Sequence, residues 1–167
     1  SLNDRDRWGL RFQALYTPND DLTLRFIGDH SEVDEACCAV GNWQTNFETQ
    51  NPAPPNAIIG SDTVVRDDLG GTVISGDDFY DYKVSASFKP ESQNTDEGIS
   101  LQADWQTDYF LLTSISSYRK HDAYDKGDVD FYDVDALIRT NDLEQEQYSQ
   151  ELQISGDAFD DKVNYVG

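Results

Sequence analysis

Apolar and polar residues alternate along two early segments of the chain. From Arg7 to Thr17, Trp8, Leu10, Phe12, Ala14 and Tyr16 fall on one face of an extended strand, with Arg7, Arg11 and Gln13 on the other. Pro18-Asn19-Asp20-Asp21 then turns the chain. Leu22 to Ser31 alternates again, placing Leu22, Leu24 and Phe26 opposite Thr23, Arg25 and Asp29. After a long polar stretch a third strand is predicted from Gly98 to Gln106. It sets Ile99, Leu101, Ala103 and Trp105 against Ser100, Gln102 and Asp104, and ends in a tight turn at Thr107-Asp108. The fourth strand, Tyr109 to His121, is less regular across Leu111 to Ile115. It is read with Phe110, Leu112 and Tyr118 outward, and a slip of one residue would exchange its faces. A fifth strand, Leu143 to Ser155, separates Tyr148, Leu152 and Ile154 from Gln147, Ser149, Glu151 and Gln153. The turn Gly156 to Asp161 leads into the beginning of a sixth strand at Lys162 to Gly167.

Short turns alternating with long loops are the rhythm of an outer-membrane β-barrel. That rhythm decides how Phe79 to Phe88 is read. Tyr80, Tyr82, Val84, Ala86 and Phe88 alternate well with polar neighbours. As a crossing, however, this segment would put the short turn Thr107-Asp108 on the long-loop side. Residues 79–89 are therefore expected to form a strand outside the membrane, between long outer loops at about 32–78 and 121–142. Each crossing takes about 9 to 13 residues, close to what a tilted spanning strand needs. Trp8, Tyr16, Trp105 and Tyr118 fall near strand ends, where aromatic girdles belong. A soluble β-sandwich also alternates, but its strands are shorter and it seldom holds an irregular stretch as long as Glu32 to Asp78.

Composition alone points elsewhere. The 167 residues carry a net charge of −21 and 37% hydrophobic residues, values that suit a soluble acidic or partly disordered chain. Aromatic residues at 12% argue against disorder. No apolar run is long enough for a transmembrane helix, and a barrel needs none. There is no methionine and no recognisable signal peptide. Both ends read as interior to a longer chain, so an open sheet with two free edges is expected, not a closed barrel. The excess of carboxylates, 33 to 12 basic residues, would repel a phosphate backbone and argues against nucleic acid as a partner.

Asn3 to Trp8 followed by Leu15-Tyr16-Thr17-Pro18-Asn19-Asp20-Asp21-Leu22 resembles the early barrel strands of TonB-dependent outer-membrane receptors. Leu112 to Arg119 looks like that family's recurrent strand ending in Tyr-Arg, and Gln147 to Ile154 is similar to the strand that follows it. The matches lie in family order along most of the chain. The resemblance implies a barrel of about 22 strands closed by an N-terminal plug. It also implies bacterial outer-membrane localisation, contact with outer-membrane lipid, and import of a scarce small solute of the siderophore, cobalamin or carbohydrate class. Energy would come from the TonB complex through an N-terminal region not found among these residues, so no residue here is assigned to energy coupling.

Candidate chemistry concentrates in the long loops. Cys37 and Cys38 are adjacent, in a compartment that permits disulfides. They can pair with each other only as a strained eight-membered ring, since a trans peptide holds their Cα atoms about 3.8 Å apart. They can also pair with cysteines elsewhere. The second loop is crowded with aspartates. Asp125, Asp128 and Asp130 are candidate ligand contacts, together with Cys37, Cys38 and Trp43 in the first loop. Asp128, Asp130 and Asp133 are the candidates for a metal, Ca²⁺ being the ion that carboxylate oxygens suit, although the spacing is not that of an EF-hand. Solvated charged loops are the simpler reading. His30 and His121 end two strands. Arg11, Gln13, Arg25, Gln102, Asp104, Gln147, Glu151 and Gln153 fall on the face opposite the apolar one, the lumen wall of a barrel. No GxSxG, HExxH or P-loop occurs, so an enzyme is not expected and no cofactor is called for. The expected fold is an all-β segment of an antiparallel transmembrane barrel, with about five strands and a truncated sixth. A passive porin-like barrel and a soluble calcium-binding extracellular β-domain are the alternatives.

Overall fold

The computed structural model describes residues 3–38, 40, 41, 43, 48–51, 57–74, 77–159 and 162–167. Ala39 of the cysteine motif, Asp160 and Asp161 of the last turn, and part of the first long loop lie outside the described residues. Among the described residues eight strands are formed: β1 (Arg7–Asn19), β2 (Leu22–Glu35), β3 (Glu48–Asn51), β4 (Ala57–Gly60), β5 (Glu91–Gln106), β6 (Leu111–Asp128), β7 (Ile138–Ala158) and β8 (Val163–Val166). Six of them make one open antiparallel sheet in the order β1-β2-β5-β6-β7-β8. The hairpin β3-β4 is a separate two-stranded sheet. Sequence neighbours therefore pair throughout the large sheet, and β3-β4 is an insertion between β2 and β5.

The first hairpin shows how the pattern sets the register. Trp8, Leu10, Phe12, Ala14 and Tyr16 stand opposite Glu32, His30, Gly28, Phe26 and Leu24, so most of the apolar residues of the two strands share a face. Arg11 stands opposite Asp29, Gln13 opposite Ile27 and Arg25 opposite Leu15 on the other face. Asn19 closes the turn, its side chain accepting the backbone N–H groups of Asp21 and Leu22 at 3.1 and 2.8 Å. Thr107 does the same work in the β5-β6 turn. Its Oγ1 accepts from the backbone N–H of Tyr109 and Phe110 and donates to the Phe110 carbonyl at 2.8 Å.

The chain divides into two compact units. One comprises 7–33, 94–123 and 143–167; the other comprises 3–6, 34–93 and 124–142 among the described residues. In the first unit Gly98 and Ala123 are the buried residues among those described. Among its described residues it is a single sheet layer. In the second unit Glu35, Ala36, Val65 and Pro90 are buried.

Several expected boundaries are corrected. β5 begins at Glu91, ahead of the expected Gly98, β6 runs on to Asp128, and β7 starts at Ile138. The polar stretch 121–142 thus contributes mostly strand, leaving only 129–137 between β6 and β7. Residues 79–89 form no strand. Asp77–Asp81 is a 3-10 turn of helix, and 83–90 have no regular structure. Local bonding wins there: the N–H of Tyr82 donates to the Phe79 carbonyl at 3.1 Å, and Tyr82 takes a left-handed φ of 57°, which a strand does not permit.

Candidate functional site

In the sheet unit, side-chain bonds link the polar residues of successive strands to one face. Asp29, facing Arg11 across the first hairpin, receives both bonds of the Arg119 Nη2 at 3.0 and 3.1 Å. Arg119 also lies 3.6 Å from Asp96, whose other oxygen meets His121 Nδ1 at 3.0 Å. Gly98 lies beneath this guanidinium; a Cβ there would stand 2.9 Å from Nη2. Further along, the Thr113 hydroxyl donates to Asp104 at 2.7 Å, and the Gln102 amide donates to the same carboxylate at 2.8 Å. Ser117 bonds Ser149 at 2.5 Å, and Gln153 donates to Glu151. The period of two then places Arg11, Gln13, Arg25, Gln102, Asp104, Gln147, Glu151 and Gln153 together on this face. The pairs are half-exposed, so each contributes at most about 1 kcal/mol. Their effect is to hold a polar surface in order.

The opposite face is apolar and, among the described residues, exposed. Leu10, Phe12, Tyr16, Ile99, Leu101, Trp105, Tyr148 and Leu152 are all exposed, Leu10 at 68%. Leu10, Phe12, Gly28, Ile99 and Tyr118 line one groove of about 480 Å³, and Leu22, Ala103, Trp105 and Leu112 another. Tyr118 also meets the Tyr148 ring at 4.7 Å, which carries the face across to β7. At the Trp8 and Lys120 end the same face turns polar. Trp8 Nε1 donates to Glu32 at 3.0 Å, His30 meets Glu32 and Glu97 at 3.1 and 3.6 Å, and Lys120 bridges Asp122 and Glu144 at 3.0 and 3.1 Å. Trp8 and Tyr16 are eight residues apart, about 26 Å of strand. Allowing for strand tilt, that is near the height of an apolar membrane band.

In the second unit the two cysteines are joined to each other. The Cys37–Cys38 peptide is cis and brings the Cα atoms to 3.1 Å, in place of the trans spacing expected from the sequence. The segment leading to them is tied down: Ala36 donates its N–H to Asp4 at 2.5 Å. That bond holds the Asp4 carboxyl below its ordinary pKa, with Lys89 at 3.3 Å adding to the effect. The loop aspartates serve as backbone acceptors. Asp128 takes the N–H groups of Ser87, Asp130 and Phe131; Asp130 takes those of Tyr132, Ala136 and Leu137; Asp133 takes that of Thr72 at 2.6 Å. The Thr72 bond lowers the Asp133 pKa. Asp125 lies on β6 and is half-buried. Among the described residues no three His, Cys, Asp or Glu side chains gather where they would hold a metal ion. Trp43 is exposed.

The unit also holds a cleft that the sequence pattern did not indicate. It measures about 340 Å³ and is lined by Asn3, Gly41, Phe79, Tyr80, Tyr82, Lys83 and Val84. The Phe79 ring packs against the Gly41 backbone, where a Cβ would stand 3.2 Å from it. Tyr80 meets Phe79 edge-on at 5.6 Å. Lys83 is held by Asp78 at 2.7 Å and Asp81 at 3.5 Å, and these carboxylates raise its pKa, Asp78 foremost. The available signal was three aromatic residues within Phe79 to Tyr82, which the alternating reading assigned to a strand. The Asp29-Arg119-Asp96-His121 cluster was also missed as a group. Its members lie on three different strands, so spacing along the chain does not reveal it.

No protein-family model, characterised protein or solved structure matches this chain.

Proposed function

We propose that this sheet is part of the wall of an outer-membrane β-barrel, in a receptor of the TonB-dependent kind that binds a scarce small solute outside the cell and imports it. The carrying observation is the exposed apolar face. A water-soluble protein leaves few contiguous apolar patches of this extent exposed, whereas lipid requires one. The polar opposite face suits a water-filled or plugged lumen. Strands of 13 to 21 residues in the four long members of the hairpins β1-β2 and β6-β7 suit a tilted crossing with extensions beyond it. Two open edges, β1 and β8, call for further strands, since lipid satisfies no backbone group. The ordered resemblance of the strand motifs favours a TonB-dependent receptor over a passive porin. On this reading the unit holding Cys37, Cys38, Trp43 and the aromatic cleft faces outward, where loops on a rigid scaffold carry recognition.

Fractionation of cells producing the full-length protein tests the reading. It should appear in the outer membrane, resist extraction by urea or alkaline carbonate, and migrate differently on gels when unheated. Recovery as a soluble periplasmic or secreted protein would contradict it. Solute uptake that persists in a host lacking TonB would favour the porin.

A further inference from the structure

We propose that the cleft formed by Phe79, Tyr80 and Tyr82 is a subsite for the ring of a neutral sugar. The inference rests on the receptor reading above and narrows its solute class.

Three observations lead to it. First, the rings are presented to solvent instead of being packed. Tyr82 is 94% exposed and Tyr80 72%. Second, Tyr82 is held in the left-handed region at φ 57°, an unfavourable conformation for a bulky residue, which the surrounding bonds maintain. Those bonds are its N–H to the Phe79 carbonyl at 3.1 Å and the Lys83 N–H to the Asp78 carbonyl at 3.4 Å. A solvent-exposed ring on a residue with a strained backbone marks a surface where presentation matters. Third, the charge selects the ligand. Asp77, Asp78 and Asp81 outnumber Lys83 in this segment, and Lys83 is already paired with two of them. An anionic ligand such as a ferric chelate bearing carboxylates would meet net negative charge and no free ammonium.

A neutral sugar fits what remains. Its ring carries weakly positive C–H groups on one face, which the negative face of a tyrosine ring attracts. Its hydroxyls would bond to the hydroxyls of Tyr80 and Tyr82 and to Asn3, which line the cleft, and to the carboxylates that hold Lys83. The cleft, about 340 Å³, lies at the small end of ligand pockets and is open, as a stacking platform must be. A cationic ligand would be drawn by the same charge. Nearly full exposure of Tyr82 leaves no aromatic cage to desolvate it, and such cages are how aromatic residues hold ammonium groups.

The test uses intact cells displaying the full-length protein and a panel of fluorescent neutral oligosaccharides, with a uronic-acid oligosaccharide and a choline-bearing probe beside them. At least one neutral oligosaccharide should bind saturably, and the other two probes should not compete with it. Tyr80→Ala and Tyr82→Ala should each weaken binding about tenfold, the scale expected for one stacked ring. Tyr82→Phe should stay within about threefold. Tyr82→Gly, which relieves the backbone, should lose binding as Tyr82→Ala does. Surface labelling of Tyr82→Cys separates the two levels of the claim. If the new thiol is labelled but no neutral sugar binds, or the alanine variants bind like the parent, the sugar subsite is wrong. If the thiol is not labelled in intact cells, the outward-facing receptor reading fails and the subsite with it.

Discussion

At Asp133 a single carboxylate joins positions 61 residues apart by accepting the Thr72 N–H. No spacing rule in the sequence predicts that pairing; the aspartates of 122–135 looked alike, and only the fold distributes their roles. Because the bond lowers the Asp133 pKa in the folded state, its contribution is complete above the ordinary carboxylate value. It is lost as pH falls through the lower, folded-state value. The Thr72 amide shift should therefore titrate with a midpoint below that of a free aspartate, and a midpoint at the ordinary value would refute the bond. Gly71 beside it has no room for a side chain. A Cβ would stand 2.7 Å from Val134 Cγ1 and 2.9 Å from Val65 Cγ1. Gly71→Ala should cost about 1–3 kcal/mol and open the neighbouring bond, seen as faster hydrogen exchange at Thr72. Unchanged exchange would show that the loop accommodates the methyl group freely.

At the scale of elements, what could be read from the sequence depended on whether the two faces of a strand differ. Where they do, as in Trp8 to Tyr16 or Ile99 to Trp105, period-two alternation located the strand. Where neither face is consistently apolar, as in Ser92 to Asp96, Asp122 to Asp128 and Arg139 to Asp142, the backbone still pairs but the pattern vanishes. The outer reaches of β5, β6 and β7 were hidden for that reason. Phe79 to Phe88 is the converse: it alternates, but an acidic start and a left-handed Tyr82 make it a turn of helix and a loop. The faces themselves give a paired prediction. Phe12→Arg puts a charge on the apolar face and should cost about 2–4 kcal/mol of insertion stability, lowering the amount of heat-modifiable protein in the membrane. Gln13→Arg, one residue on, should cost little. Equal losses would mean that β1 does not separate two environments. In the β5-β6 turn, Thr107→Val removes the acceptor for two N–H groups. It should destabilise this hairpin by about 1 kcal/mol, detectable as faster exchange at Phe110.

For the molecule as a whole, the claim is that one face of the six-stranded sheet meets lipid and the other meets water. The sheet and its two unlike faces were legible in the sequence, because alternation and short turns are properties of the chain. The proposed sugar subsite was not legible there, since its cleft brings Asn3 and Gly41 beside residues 79–84. The most direct measurement places spin labels at Phe12→Cys and Gln13→Cys of the full-length protein reconstituted in lipid, and compares their collisions with oxygen and with a water-soluble nickel chelate. The label at 12 should favour oxygen and the label at 13 the nickel chelate. Two labels that both favour the chelate would place the apolar face in water and contradict the membrane reading.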